Sequence, residues 1–500
     1  MKKVLLFNPR ATTYARIIPN SILQIAASIE GRFDYTIVDG NREKDPWPAI
    51  DRFMTVYPDA FFCSTVMPGP QLRQAVPFSK RIKENYPHAT VIWGGYFASN
   101  HAETVARSGF VDFVVAGPGD LAFPNLLHAL SHGQPVSPIG NLVYPDNGTV
   151  RRTSKDEIPD QDKLPPLPYD SLTRFYSMDG YLMKTFLGSR TLSYHSSIGC
   201  PFTCSFCGVV PIYSARWKAK SAARVYADIK MLKDRWGANA ITFHDNNFFV
   251  SEKRAVEFAR LIRPENMPWW AEGRIDTMNK YADDSFSLIR ESGCRMIFFG
   301  AESGNNTMLK RMDKGGTQSA EQILSFAERI RQFDIIPEYS FILGFPAPTE
   351  EEVWRMIEAD MEFIRLVKRI NPATEIIIYV YSPVPTTDSD LYAQVQTEGF
   401  EYPRTLEEWL QPRWQDFDLH REFITPWLTP AMIRRIHEFE TVLHSHYPTI
   451  SDYKITPFQR KFMKRLSKFR YRRNFLSHPW ELKILQRYWL RYRRPEKEGF

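Results

Sequence analysis

Up to about residue 390 the chain alternates short apolar runs with stretches of helical periodicity, in two separate series. The first comprises KKVLLFNP, DYTIVDGN, DAFFCSTVM, ATVIWGG and VDFVVAGPG, with helical segments such as SILQIAASIEG and QLRQAVPFSKRIKENYP between them. The second runs TLSYHSSIG, ANAITFHD, PWWAEGRI, RMIFFGAES, IPEYSFILGF and ATEIIIYVYS, again separated by helical stretches. Apolar strands joined through helices bury both faces only as parallel sheets covered by those helices. The fold class is therefore α/β: a doubly wound parallel sheet of the flavodoxin or Rossmann type over 1–140, then a partial (β/α)6 barrel over 190–389. Six units fall short of the eight that close a barrel. Residues 141–189, rich in Pro, Asp and Ser, read as an irregular connecting segment, and 390–500 as a small, mainly helical region. The start MKKVLLFNPR reads as a first strand and not an export signal, which makes the cytoplasm the expected compartment.

Three of the five cysteines, Cys200, Cys204 and Cys207, lie within IGCPFTCSFCG, directly after the first strand of the second series. Three thiolates on one short loop can each bind one iron of a cubane cluster and leave the fourth iron open. A zinc site would need another ligand, for which His195 is the nearby candidate. Cys63 and Cys294 read as core residues, and the reducing compartment and odd count argue against disulfides.

Polar motifs recur where the other strands of the second series end, at the edge where barrel active sites assemble. HDNNF supplies Asp245, Asn246 and Asn247, suited to an ammonium group, and GRID supplies Arg274, suited to a ligand carboxylate or, alternatively, to a surface salt bridge. GAESG supplies Glu302 and Ser303, and FILGFP supplies Gly344, where backbone can approach a ligand closely.

The CxxxCxxC spacing and the motifs in register with it resemble the radical SAM superfamily. The resemblance implies a 4Fe-4S cluster on Cys200, Cys204 and Cys207, with S-adenosylmethionine chelated to the open iron and cleaved reductively to a 5′-deoxyadenosyl radical. It implies an aromatic packing role near the adenine for Phe206, and contacts to the cofactor for Asp245, Asn246, Asn247, Arg274, Glu302, Ser303 and Gly344. In YSPVPTT, Thr386 stands where related enzymes often have glycine.

The front series is similar to the cobalamin-binding domains found ahead of such barrels, through STVMPG, WGGYFASN and VDFVVAGPGD. Pro118 and Asp120 stand where two glutamates are common. The resemblance, with the rule that doubly wound sheets bind ligands at their carboxyl edge, nominates Asn8, Ser64, Thr65, Met67, Gly94, Gly95 and Gly117 as cobalamin contacts. No D-x-H-x-x-G motif supplies a lower ligand to cobalt, and His101 reads as a surface residue. The implied activity is a cobalamin-dependent methylation of an unactivated carbon in a small molecule or lipid, supplied with electrons by a flavodoxin or ferredoxin. An oxidative cyclisation or rearrangement is the alternative within the class, and an iron–sulfur redox sensor the alternative outside it.

Charge is concentrated at the end. Residues 451–500 hold 15 Lys and Arg against 4 Asp and Glu, whereas the other 450 residues hold 49 against 53. This aromatic, basic stretch reads first as a solvated helical face over the barrel mouth, then as a peripheral membrane contact; nucleic acid ranks last.

Overall fold

In the computed structural model, residues 2–12, 16–313, 318–386, 389–417 and 424–491 are described. Strands β1 (Val4–Asn8), β2 (Tyr35–Asp39), β3 (Phe61–Thr65), β4 (Thr90–Gly94) and β5 (Phe113–Val115) form a parallel sheet in the order β2-β1-β3-β4-β5. Strand order reverses at β1, so a crevice opens at the carboxyl edge between β1 and β3. Helices cover both faces, which is why Val4–Phe7 and Phe61–Phe62 are apolar without alternation and fully buried.

The sheet does not stop at residue 140. β6 (Leu142–Asp146) and β7 (Thr149–Arg152), which lie in the stretch expected to be irregular, form an antiparallel hairpin added to β5. Their composition hides them: Pro145 and the Asp146–Gly148 turn resemble linker chemistry, and only β6 has a buried end to contribute a strand pattern.

The second body contains β8 (Thr191–Tyr194), a small antiparallel pair of β9 (Ser197–Gly199) and β10 (Trp217–Ala219), then β11 (Ala240–Phe243), β12 (Trp269–Gly273), β13 (Cys294–Glu302), β14 (Ile336–Leu343) and β15 (Glu375–Val380). The parallel sheet runs β8-β11-β12-β13-β14-β15, a six-stranded partial barrel. Four of its helices start at hydroxyl caps that satisfy otherwise orphaned backbone N–H groups. Ser221 accepts from Arg224 N, Ser251 from Arg254 N and Thr349 from Glu352 N, and Ser319 forms a capping box with Gln322.

Among the described residues, β15 is the last strand of the open barrel's sheet. The helix Pro430–His446 lies along it, and His444 Nε2 donates to the carbonyl of Ile376 at 3.1 Å. No helix among the described residues is long and apolar enough to cross a membrane.

The C-terminal region also ties the two bodies together. Trp409 is fully buried and packs on Phe97 at 5.1 Å and His101 at 4.7 Å, both from the front domain. His101 is thus not the surface residue expected from its polar neighbourhood; it sits in an aromatic cluster with Phe97, Tyr402 and Trp409, and burial pushes its imidazole down to about 3. Arg73 Nε donates to Gln415 Oε1 at 2.9 Å beside this cluster. Because Trp409 fills the joint, Trp409→Ala should cost about 3–5 kcal/mol, read as a lower denaturant midpoint for the full chain.

Candidate functional site

All six barrel strands point the same way, so their carboxyl ends form one rim, and the cysteine loop follows β9 directly onto it. The loop has little regular structure and is held by neighbours. Ser205 N donates to Met312 O at 2.9 Å, and Ser205 Oγ donates to Arg311 O at 3.0 Å, both partners following β13. From the loop beyond β15, Thr386 Oγ1 donates to Ser205 O at 2.6 Å. The residue standing in place of the usual glycine therefore uses its hydroxyl to fasten the cysteine loop. The front domain closes the other side: Asn100 Nδ2 donates to Gly208 O at 3.2 Å, and Tyr96 leaves no room for a side chain at Gly208.

Among the described residues, no three Cys, His, Asp or Glu side chains close on one point as a single-ion site requires. A cubane asks instead for three thiols, each facing its own iron. Cys200, Cys204 and Cys207 lie together on one loop and fit that demand.

Several motif residues are brought to the rim but spend their polar groups differently from the sequence reading. Asp245, fully buried, accepts from Ser196 N at 2.6 Å, Ser196 Oγ at 2.5 Å and Ser197 Oγ at 2.7 Å. It anchors the chain just ahead of the cysteines. Arg274 makes a paired hydrogen bond with Asp276, Nε to Oδ1 at 3.0 Å and Nη2 to Oδ2 at 2.7 Å. Its Nη1 donates to Cys204 Sγ at 3.1 Å, and the guanidinium lies 3.8 Å over the ring of Phe202. Ser303 Oγ donates to Asp360 Oδ1 at 2.8 Å. Gly344 takes φ +84°, yet what approaches it is Leu428, while Trp427 Nε1 donates to its carbonyl at 2.9 Å.

Other motif residues suit a ligand. Asn247 is 1% exposed, and both its amide nitrogen and oxygen lack a partner. A buried amide without hydrogen bonds is costly unless something binds there. Asn246 is exposed beside it, and Phe206 is half-buried on the cysteine loop. Glu302 holds φ +67° at a bulge in β13, a strained setting for a non-glycine residue, and accepts from Ser340 Oγ at 3.2 Å. Gln318 Nε2 braces the bulge by donating to Gly300 O at 3.1 Å and Ala301 O at 3.0 Å.

The sequence reading gave no role to the side chains inside the barrel beyond His195 as a zinc candidate. The rings of His195 and His244 lie 6.0 Å apart, and His244 lies 5.8 Å from Trp270. Trp270 Nε1 donates across the barrel to Glu338 Oε2 at 3.1 Å. Burial, with Asp245 and Glu338 nearby, raises the Glu272 carboxyl to about 8; burial beside His195 lowers the His244 imidazole to about 3. Alternation along β12, with Trp270, Glu272 and Arg274 two apart, was the available signal for this inward face.

A cavity of about 190 Å³ lies at the carboxyl edge of the front sheet. Ser64, Thr65, Gly94, Gly95 and Gly117 all line it. So does Asp120, at the acidic-signature position, buried with Oδ1 unpartnered and its carboxyl pushed upward by burial. Two nominated residues do not line it. Asn8 is locked between Asp39 and Gln71 by bonds of 2.9 and 3.2 Å, and Met67 is exposed while its N–H donates to Gln71 at 2.7 Å. At Gly95, with φ +94°, a Cβ would lie 2.9 Å from Thr65 Oγ1, so this glycine is required by its neighbouring strand as well. The cavity is closed from the barrel side by Ile198 and Tyr213, which bracket the cysteine loop in sequence.

A thiol triad at the rim of a partial barrel, with strand-end motifs around it, defines a radical SAM domain. Residues 194–359 match the family described as the Radical SAM superfamily. The uncharacterized methyltransferase PH0819 of Pyrococcus horikoshii is 29% identical over 377 residues, covering 73% of this chain and 78% of its own. The radical S-adenosylmethionine methyltransferase TsrM from Kitasatospora setae, solved with cobalamin and a 4Fe-4S cluster bound, superposes with a TM-score of 0.66 at 16% identity, covering 94% of this chain and 99% of TsrM. The cobalamin-dependent S-adenosylmethionine radical enzyme OxsB, with aqua-cobalamin and S-adenosylmethionine bound, gives 0.67 at 15% identity, covering 98% of this chain and 75% of OxsB. At such identities the two structures establish a shared fold across both domains.

Glu272 carries a pH signature. Between about 4.5 and about 8 the unfolded chain releases this proton while the folded chain keeps it, so stability falls as pH rises through that window. Glu272→Gln should therefore melt with the parent at about pH 4 and above it at about pH 8, compared by thermal unfolding of the ligand-free protein.

Proposed function

We propose that the chain methylates an unactivated carbon of a small molecule or lipid, with a 4Fe-4S cluster, S-adenosylmethionine and cobalamin held at one junction. The observation that carries this reading is the front cavity, whose barrel-side wall is Ile198 and Tyr213, on either side of Cys200–Cys207. A ligand seated there would face the cysteine loop across a shared wall. When bound, the cluster and S-adenosylmethionine supply a carbon radical, and cobalamin supplies the methyl group.

The protein's own contribution is holding, orienting and drying. Cys200, Cys204 and Cys207 would hold the cluster, with Arg274, stacked on Phe202, donating to Cys204 to fix its position. Asn247 would give its unpartnered amide to S-adenosylmethionine, with Asn246, Phe206 and the strained Glu302 close by on the same rim. In the front cavity Ser64, Thr65 and Asp120 would hydrogen-bond the cobalamin, while Gly94 and Gly117 keep the wall low. Trp270, Glu272, Glu338 and His244 would face the substrate, with Glu272 protonated at neutral pH and able to donate a hydrogen bond. A flavodoxin or ferredoxin in the cytoplasm would deliver the electron, and the basic C-terminal residues would supply a peripheral membrane contact.

Two variants separate the parts of this reading. Anaerobically reconstituted Cys204→Ala should lose cluster iron and all 5′-deoxyadenosine formation. A Cβ at Gly94 meets only Val115, at 3.8 Å, so Gly94→Leu would project into the cavity. It should lose cobalamin from the visible spectrum while keeping cluster iron. Turnover by Cys204→Ala, or full cobalamin retention by Gly94→Leu, overturns the respective assignment.

A further inference from the structure

The end of the described chain presents an apolar stripe to solvent. On the helix Pro457–Arg472, Phe458, Phe462, Leu466 and Phe469 are 71, 43, 42 and 65% exposed. At 100° per residue they fall within an arc of about 80°. Met463, Ser467 and Tyr471 point the other way and are buried: Tyr471 stacks on His446 at 4.4 Å, and Ser467 bonds to the same imidazole. The remaining arc, beside the apolar stripe, carries Lys461, Lys464, Arg465, Lys468 and Arg472.

The next segment doubles back. Arg470 pairs with Glu481 at 2.5 Å, and Gln459 Nε2 reaches Trp489 O at 3.5 Å, which makes an antiparallel helical hairpin. Trp489 packs edge-on against Phe462 at 5.1 Å and extends the stripe. Trp480, Ile484 and Tyr488, at spacings of four, are 67, 49 and 67% exposed.

This hairpin does not cover the barrel mouth, contrary to the sequence reading. Ile450 N donates to Glu375 Oε1 at 3.0 Å, and the ammonium groups of Lys368 and Lys464 lie 4.1 and 5.4 Å over the Tyr447 ring. These contacts place it at the amino end of β15, opposite the rim that bears the cysteines. The hydrophobic period of its outer face is helical, but its inner face is short and mixed, so the sequence pattern did not show which way it would pack.

We propose that the hairpin docks the protein on an anionic lipid bilayer, with Phe458, Phe462, Leu466, Phe469 and Trp480 entering the headgroup boundary and the adjacent Lys and Arg meeting lipid phosphates. Exposed apolar residues on a surface helix carry a hydration cost that a membrane interface removes, and each nearby cation adds to the attraction. Charge complementarity is local, because the positive excess lies in 451–500 while the other 450 residues are slightly acidic. Single-stranded RNA suits the pattern less well. Leu466 and Ile484 offer bases no stacking face, and Phe462 and Trp489 spend their contact on each other. The barrel mouth stays clear, so the contact is an anchor for the enzyme and not the wall of its substrate chamber. The proposal sharpens the peripheral contact in the proposed function and stands apart from the methylation chemistry.

The test is sedimentation of the full-length protein with vesicles of phosphatidylcholine alone and of phosphatidylcholine with about 30% phosphatidylglycerol. Binding should require the anionic lipid and weaken as salt rises. The triple variant Phe458→Ser/Phe462→Ser/Phe469→Ser should bind at least about tenfold more weakly, as should Lys461→Glu/Lys464→Glu/Lys468→Glu. Both should keep the parent's circular dichroism, cluster iron and 5′-deoxyadenosine formation, so that failure of the docking surface is distinguishable from failure of the catalytic reading. Equal sedimentation with both vesicles overturns the proposal, as does parent-like binding by the triple variants. Elution of the parent as a dimer that the Phe variant dissociates assigns the stripe to self-association and overturns it too. So does tighter binding to a single-stranded RNA than to anionic vesicles.

Discussion

A buried carboxylate with three hydrogen bonds fixes where the cysteines can be. Asp245, at the end of β11, takes bonds from Ser196 N, Ser196 Oγ and Ser197 Oγ, immediately before the chain enters the cysteine loop. Burying a charge without partners is prohibitive. The strand exit therefore adopts the one path that delivers those donors. Arg254 reinforces it by donating to Ser196 Oγ at 2.6 Å and to the carbonyl of Lys220 at 2.8 Å. The loop beyond is then tied by Ser205, Thr386 and Asn100 to segments that follow β13, β15 and β4. Preorganisation of this kind lets a loop present thiols as a rigid element would.

The same ties explain why front domain and barrel form one working unit. Gly208 receives both Asn100 and the ring of Tyr96, while Ile198 and Tyr213 complete the wall of the front cavity. In the proposed reaction, a methyl donor placed beside a radical centre would need such a shared wall, because reach is short and water must stay out. The aromatic joint around Trp409 then holds the domains in register from the far side.

Much of the site was legible because strand–helix alternation decides which loops share an edge. The rim positions of Asp245, Arg274, Glu302 and Gly344 follow from that alone. What each side chain does there was not legible. Arg274 has Asp276 two residues away, a partner visible in the sequence, yet only packing decides that the pair closes on itself and turns Nη1 to Cys204. Asn8 was nominated by its place at a strand end, but Asp39 and Gln71 claim it from other segments. His101 follows a glycine pair in a polar stretch, and the rings of Tyr402 and Trp409 that bury it come from some 300 residues later.

Local chemistry was therefore determined by the sequence: two series of apolar strands with helix caps, three thiols at cubane spacing, and a basic aromatic end. These depend on residue type and short-range period, which need no knowledge of distant contacts. Tertiary structure alone decided the pairings. It gave Asp245 and Arg274 their protein partners, set the front cavity against the cysteine loop, added the β6–β7 hairpin to the first sheet, and carried the basic hairpin to the amino end of the barrel strands. Each of those outcomes rests on a hydrogen bond or a ring contact between segments far apart in the chain, where spacing carries no information about which partner will win.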